Sequence, residues 1–423
     1  PDSLLGKECK QLRAALHPLV EAHMRQENAS PAFRVTCMLG QRSRWSQVLP
    51  LLAGMRTAEP HKRPKLGAYM RWVRELNVAE GDAQELAMLD AIMRTAGGLP
   101  LSTAPSPKNG SLKEFPPFKA LPRGTRGRAD SGATTAVNSS KVPVYSYAPG
   151  AFSVIAHESA LERKPPNHFD LDIFSCAPGV IAFDAAPTWE ASRQAVPGVE
   201  GAFVLTNVLS STECTSLCSL SEAIGYRPDV PLSSAFDIRA QNVVILASEA
   251  QNDALFARVR ELLPPELDGD RLFGLNRRWR LYRYHPGNVY RKHLDGAWPA
   301  SGTKTINAAG GRQEEYVYDA YGGSTRSKLT FIIYLTEGFE GGATTFFVPS
   351  PDSEGVLESR PIQPQLGFAA AWVHGDTGIP LLHEGSPVTS GTKYLLRTEV
   401  IYESPETPEE RRNAARLRGL ARQ

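Results

Sequence analysis

From about Gly198 to Tyr402 the sequence breaks into short β-patterned runs separated by turn residues. They read GAFVLTNVLS, AQNVVILA, WRLYRYH, KLTFIIYLTE, GATTFFVP, GFAAAWVH and TKYLLRTEVIY. In KLTFIIYL, Leu329, Phe331, Ile333 and Leu335 recur at period two, so a strand there turns one apolar face to a core. Two helical patterns interrupt the series. SSTECTSLCSLSEAIGY opens with Ser/Thr capping residues and a Glu close behind, and AQNDALFARVRELLP follows the second strand. Many strands with few helices predict an all-β sandwich or barrel buttressed by helices, to which residues 151–197 add strands.

The front of the chain is different in kind. LLGKECKQLRAALHPLVEAHM places apolar residues at three- and four-residue intervals, as an amphipathic helix requires. WSQVLPLLAGMRTA (Trp45–Ala58) and AQELAMLDAIMRTA (Ala83–Ala96) align at an offset of 38, which suggests paired helix-turn-helix units or two similar helices of one bundle. A small α-helical N-terminal domain is therefore expected over 1–96. Residues 97–150 are rich in Pro, Gly, Ser and Thr and predict a linker, or a strap laid over a surface with Phe115-Pro116-Pro117-Phe118 as its anchor. The β-rich domain would then span 151–405, and 406–423 would be a basic helix or tail. Residues 1–130 hold 20 Lys+Arg against 12 Asp+Glu in a chain of net charge +2. Such a front is a solvated helical surface or an approach for nucleic acid. Five scattered Cys predict reduced thiols, with Cys214 and Cys218 as packing residues, and hence the cytoplasm or another reducing intracellular compartment. No leader is visible ahead of Pro1, which leaves organelle targeting open. No apolar run is long enough for a membrane span.

Chemistry concentrates in RYHPGNVYRKHLDG, Arg283 to Gly296. His293-Leu294-Asp295 has the spacing of a metal chelate, but so does His374-Gly375-Asp376, and the tripeptide alone decides nothing. A 2-His-1-carboxylate site needs one more His from a distant strand, and leaves coordination positions open. His383 is 88 residues beyond Asp295, and Lys393 stands ten residues after His383 at the start of a strand. On that strand Lys393, Leu395, Arg397 and Glu399 share one face, while Tyr394, Leu396, Val400 and Tyr402 share the other. Cations facing a barrel interior require an anion to meet them.

Over about 201–402 these residues resemble the Fe(II)/2-oxoglutarate-dependent dioxygenases of the prolyl 4-hydroxylase-like group. The resemblance rests on His293, Asp295, His383 and Lys393 in order and spacing, and on Tyr284 nine residues before His293. GGATTFF (Gly341–Phe347) and HEGSPVTSGTK (His383–Lys393) complete it. It implies a mainly β catalytic domain folded as a double-stranded β-helix (jelly-roll). It further implies Fe(II) held by His293, Asp295 and His383, and 2-oxoglutarate bound by Lys393 and Tyr284. O2 would be the co-substrate, with ascorbate open as a further cofactor, and succinate and CO2 would be the products. His374 would be a loop or pocket-rim residue and His285 structural. Arg397 and Tyr290 are candidates for contact with substrate, and residues 297–327 for a lid or an unstructured insertion. A protein or peptide is the expected substrate, with prolyl residues one option for the hydroxylated site. A small molecule, a nucleic acid reached through the basic front, or a non-catalytic binding module that keeps the fold are the alternatives. Oligomeric state is not readable.

Overall fold

The computed structural model describes residues 29–59, 63–76, 82–100, 110–122, 142–143, 145–163, 166–184, 190–231, 241–308, 311–375, 377, 380–406 and 410. The expected opening helix with Cys9, most of the Pro/Gly/Ser-rich stretch, Asp376 and the basic C-terminal segment after 410 lie outside the described residues. The described α-helices are α1 (Pro31–Met38), α2 (Trp45–Arg56), α3 (Leu66–Glu75), α4 (Ala83–Gly97), α5 (Ser211–Ile224) and α6 (Glu249–Val259). The strands that frame the site are β1 (Ser111–Glu114), β2 (Ala202–Thr206), β3 (Gln241–Leu246), β4 (Arg278–Tyr284), β5 (Tyr290–His293) and β6 (Thr325–Tyr334). They continue with β7 (Thr344–Pro349), β8 (Val356–Ile362), β9 (Ala369–Val373), β10 (His383–Gly385) and β11 (Lys393–Glu403).

These strands fall into two sheets, with two two-stranded sheets besides among the described residues, and the chain is mainly β after its helical front. The smaller runs β1-β8-β7-β10-β5. The larger has β3-β4-β11-β6-β9-β2 at its centre, with Phe152–Glu158 and Leu171–Cys176 beyond β3 and Ser192–Ala195 beyond β2. Period-two alternation decides what each face meets. Tyr394, Leu396, Val400 and Tyr402 of β11, with Leu329, Phe331 and Ile333 of β6, pack on α5 and α6 through Leu217, Cys218, Leu255 and Val259. Leu395, Ile332, Tyr334 and Trp372 point the other way and meet Phe346 and Ile362 of the smaller sheet. The space between the sheets, where the site lies, is thus the second face of strands whose first face is plain core.

The helices that cover the larger sheet begin where their sequence says they should. Ser210 caps α5 by accepting from the Glu213 backbone, and Glu213 reaches back to the Ser210 N–H. Ser248 and Gln251 do the same for α6. Cys214 and Cys218 are free and buried in this helix–sheet core.

The front helices cover the other side. The two similar segments are α2 and α4, and they pack together, tied by a 3.2 Å bond from Thr95 Oγ1 to Leu52 O. They share one apolar cluster with Leu294, Phe347, Leu357 and Leu382 of the smaller sheet and its flanks. The described part of the Pro/Gly/Ser-rich stretch adds β1 as a parallel edge on β8, and Phe118 bridges to Ile362. Within 297–327 the chain is a β-hairpin, Gly302–Ala308 against Gly311–Val317, pinned by the Trp298 N–H donating to Ser327 Oγ at 2.8 Å. Among the described residues no helix is long and apolar enough to cross a membrane.

Candidate metal centre

The site begins with a strand pairing. β5 and β10 run antiparallel with His293 opposite His383, so two imidazoles 90 residues apart in sequence stand with ring centroids 4.2 Å apart. Asp295 follows just after β5 ends. Its Oδ1 lies 3.4 Å from His293 Nε2 and its Oδ2 3.3 Å from His383 Nε2. One ligand atom from each of the three residues lies within 4.8 Å of the others.

Main-chain carbonyls set which nitrogen is free. His293 Nδ1 is 2.6 Å from Arg291 O and His383 Nδ1 is 2.9 Å from Leu381 O. A carbonyl only accepts, so both rings carry their proton on Nδ1 and turn an Nε2 lone pair to the carboxylate. Burial, with His383 beside it, lowers the His293 pKa and favours the neutral ring. His293 Nε2 is buried without a hydrogen-bond partner. A buried acceptor left bare is costly, and a cation at the meeting point of these atoms satisfies it. Two imidazole Nε2 atoms and one carboxylate, on one side of an open cavity, suit iron(II).

Asp295 is itself held on both oxygens. Arg397 Nη2 donates to Oδ1 at 2.7 Å and Thr330 Oγ1 donates to Oδ2 at 2.7 Å. Burial pushes this carboxyl up, but Arg397 and His383 outweigh it and hold it well below the usual carboxylate range. Thr330 also lies 3.2 Å from His374 Nδ1. Its one proton goes to Asp295, so His374 is the donor in that contact.

His374 stands just past β9, a loop residue as one of the two expectations had it. It is 2 % exposed, not a rim residue, and burial lowers its pKa to about 4. Its side-chain hydrogen bond to Thr330 places it one residue behind Asp295. Its presumed partner Asp376 lies outside the described residues. His285 is exposed at the end of β4, 3.3 Å from Thr392 Oγ1.

Lys393 enters the same cavity from β11, directly opposite Tyr284 of β4 in register. Its Nζ donates to Gly342 O at 2.6 Å and sits 5.4 Å from the Tyr284 ring centroid. No ion pair to Lys393 exists among the described residues, and burial lowers its pKa to about 7. Burial likewise keeps the Tyr284 phenol protonated, which leaves it a donor. Gly342 makes the fit possible: a Cβ there would meet Lys393 Cδ at 3.2 Å, and its φ is +63°. The cavity holding His293, His383, Lys393 and Tyr284 thus has the candidate metal ligands at one end and a buried amine at the other.

Tyr290 is half-buried, with its ring centroid 4.6 Å from that of His293, and it lines both this cavity and a larger neighbouring cleft. Arg397 lines both as well, but its charge is spent on Asp295. Thr330 was not among the residues the sequence singled out. The alternation in KLTFIIYL was its one signal, because a strand with Leu329 and Phe331 on the helix side must turn Thr330 inward.

No family model matches the sequence, and no curated protein matches it. Among solved structures the chain is similar to prolyl 4-hydroxylases and 2OG-Fe(II) oxygenases over about half its length. One is a viral collagen prolyl hydroxylase from Paramecium bursaria Chlorella virus-1, in its 2OG complex. It is 18 % identical with a TM-score of 0.31, over 48 % of this chain and 96 % of that one. A Pseudomonas putida prolyl-4-hydroxylase is 18 % identical with a TM-score of 0.30, over 49 % and 94 %. A Trichoplax adhaerens prolyl hydroxylase, in complex with a hypoxia inducible factor peptide fragment, is 14 % identical with a TM-score of 0.33, over 49 % and 84 %.

Proposed function

We propose that the chain is an Fe(II)- and 2-oxoglutarate-dependent dioxygenase of jelly-roll fold that hydroxylates a C–H bond of a protein or peptide, with prolyl residues the first to test. The observation that supports this most is the convergence of two Nε2 lone pairs and a carboxylate beside a buried lysine that lacks an anion. His293, Asp295 and His383 would hold the metal, and iron(II) there supplies the activation of dioxygen that no side chain can perform. The residues then do the rest. The Arg291 and Leu381 carbonyls fix both imidazole tautomers. Arg397 and Thr330 keep Asp295 ionised and oriented. Lys393 and Tyr284 offer a cation and a donor to the distal carboxylate of 2-oxoglutarate, and Trp372 and Leu395 exclude water beside them.

The test is iron and 2-oxoglutarate binding with succinate release. The wild type should bind about one Fe(II), or Mn(II) in its place, and release succinate. Asp295→Ala and His293→Ala should lose the metal, because two remaining ligands do not hold it against a chelator. Lys393→Ala should keep the metal while its 2-oxoglutarate KM rises roughly 30-fold or more, as one partner of a desolvated pair is gone. Stoichiometric metal in Asp295→Ala would sink the assignment.

A further inference from the structure

Beyond the inner cavity, and sharing Tyr282, Tyr290, His293 and Arg397 with it, lies a cleft of about 360 Å³. One wall is helical: Met70 and Arg74 of α3 line it, and Gly296 packs within reach of Met70, where a Cβ would touch the thioether methyl at 3.4 Å. The opposite wall carries Arg278 and Arg280 of β4 and Trp298. The lining holds seven Arg or Lys and three Asp or Glu.

The guanidiniums are only partly satisfied. Arg278 gives its Nη atoms to Glu158 and Tyr316, and Arg280 gives Nη2 to Glu399 while stacking 4.4 Å from the Trp298 ring centroid. Arg278 is 4 % and Arg280 9 % exposed, yet the Nε of each is buried without an acceptor. Arg74 Nε is in the same condition, and no ion pair to Arg74 exists among the described residues. A complementary defect lies on the cleft floor. Asn242 Nδ2 donates to Asp229 Oδ2 at 2.9 Å, which turns Oδ1 away, and that acceptor is buried without a donor.

From this we propose that the cleft binds an acidic peptide, in extended form, with carboxylates seated between Arg74 and the Arg278–Arg280 pair. An acidic peptide carries carboxylates and carbonyls for the arginines of the lining and backbone N–H groups for its acceptors, Glu158 and Asp229. A phosphate backbone brings acceptors alone, and Glu158 and Asp229 on the lining would repel it. The α3 wall makes the front helices part of substrate choice. For its consequence at the metal the proposal rests on the hydroxylase reading; for binding it does not.

The experiment uses the full chain loaded with Fe(II) and 2-oxoglutarate. Its probes are a fluorescein-labelled repeating Glu-Gly-Pro peptide, the same peptide with Gln for Glu, and a single-stranded oligonucleotide of equal length. The acidic peptide should bind at least roughly tenfold tighter than the Gln form, with the gap narrowing as salt rises. Arg280→Gln should remove most of that preference. Because Arg280 also neutralises buried Glu399, its loss can unfold the protein. Arg74→Gln and Arg74→Glu, at the end of a surface helix, should lower the preference without that risk, and Arg74→Glu should favour a Lys-Gly-Pro peptide. Equal affinity for the Glu and Gln peptides, tighter binding of the oligonucleotide, or an unchanged preference in the Arg74 variants would overturn the proposal. An intact acidic preference in a protein that binds no iron would refute the hydroxylase reading and leave this one standing.

Discussion

Lys393 is a cation kept where water does not reach it, and its burial sets a pH dependence. With its pKa lowered to about 7, the free amine is half neutral near neutrality. A dicarboxylate binds the charged form, so binding should draw a proton and the affinity should fall as pH rises through 7. Between pH 6.5 and 8.5 the apparent 2-oxoglutarate Kd should weaken by roughly ten- to thirtyfold, the sign following from a lysine whose depressed pKa the anion restores. Calorimetric titration at several pH values, in buffers of different ionisation enthalpy, reads both the Kd and the proton uptake. A flat profile would show that Lys393 is fully charged before the anion arrives. Thr330 acts one atom further from the chemistry. Thr330→Val keeps the shape and removes the donor to Asp295 Oδ2. Metal affinity should drop by about 10- to 100-fold, whereas Thr330→Ser should recover most of it. His374→Ala should leave the metal bound and show its cost in thermal stability instead, because its hydrogen bond is to Thr330 and not to Asp295.

At the scale of elements, the Gly341-Gly342 turn before β7 shows how a short motif becomes a binding feature. Both glycines have positive φ, 71° and 63°. A Cβ on Gly341 would stand 2.3 Å from Pro387 O, a backbone atom that cannot step aside, so Gly341→Ala should destabilise the fold by roughly 1–3 kcal/mol. Gly342→Ala should act on function instead, pressing on Lys393 Cδ, Val388 and Phe339. Its expected mark is a 2-oxoglutarate affinity several-fold weaker with iron content unchanged, measured by the same titration. This turn was legible as GGATTFF, and β11 as two unlike faces, because both signals are local in sequence. His293, Asp295, His383 and Lys393 were legible for the same reason, since fixed intervals survive in a linear string. The grip of Arg397 and Thr330 on Asp295 was not. It depends on β6 and β11 lying side by side, with Ile332 opposite Arg397, and on Asp295 arriving from the other sheet. Cross-sheet geometry of that kind leaves no spacing to read. That the loop residue His374 is buried and not at the pocket rim was not legible on the same account: the burial of a residue just past a strand is decided by what packs over it.

For the whole molecule, the question is whether the front helices are an appendage or part of the catalytic body. The sequence break after Ala96 suggests an appendage, one that could be removed without disturbing turnover at the metal. The packing points the other way. Leu294, between the two metal ligands of β5 and its flank, is buried against the helices, as are Leu382 beside His383 and Phe347 and Leu357 of the smaller sheet. Uncovering four such side chains forfeits up to about 6–12 kcal/mol, at roughly 1.5–3 kcal/mol each. A domain's whole net stability is about 5–15 kcal/mol. A buried ion pair, Arg56 on Glu354 at 2.8 Å, and a hydrogen bond from Arg94 to the Ser350 carbonyl at 2.6 Å reinforce the seam. A chain starting at residue 131 should therefore fail to bind Fe(II), even though every proposed ligand is retained. It should also lose its cooperative thermal transition, or melt far below the full chain. Iron titration and a melting curve on this truncation, beside the intact protein, decide the matter. A cooperative fold with full-chain iron affinity would show that the smaller sheet stands alone and that the helices are a detachable cover.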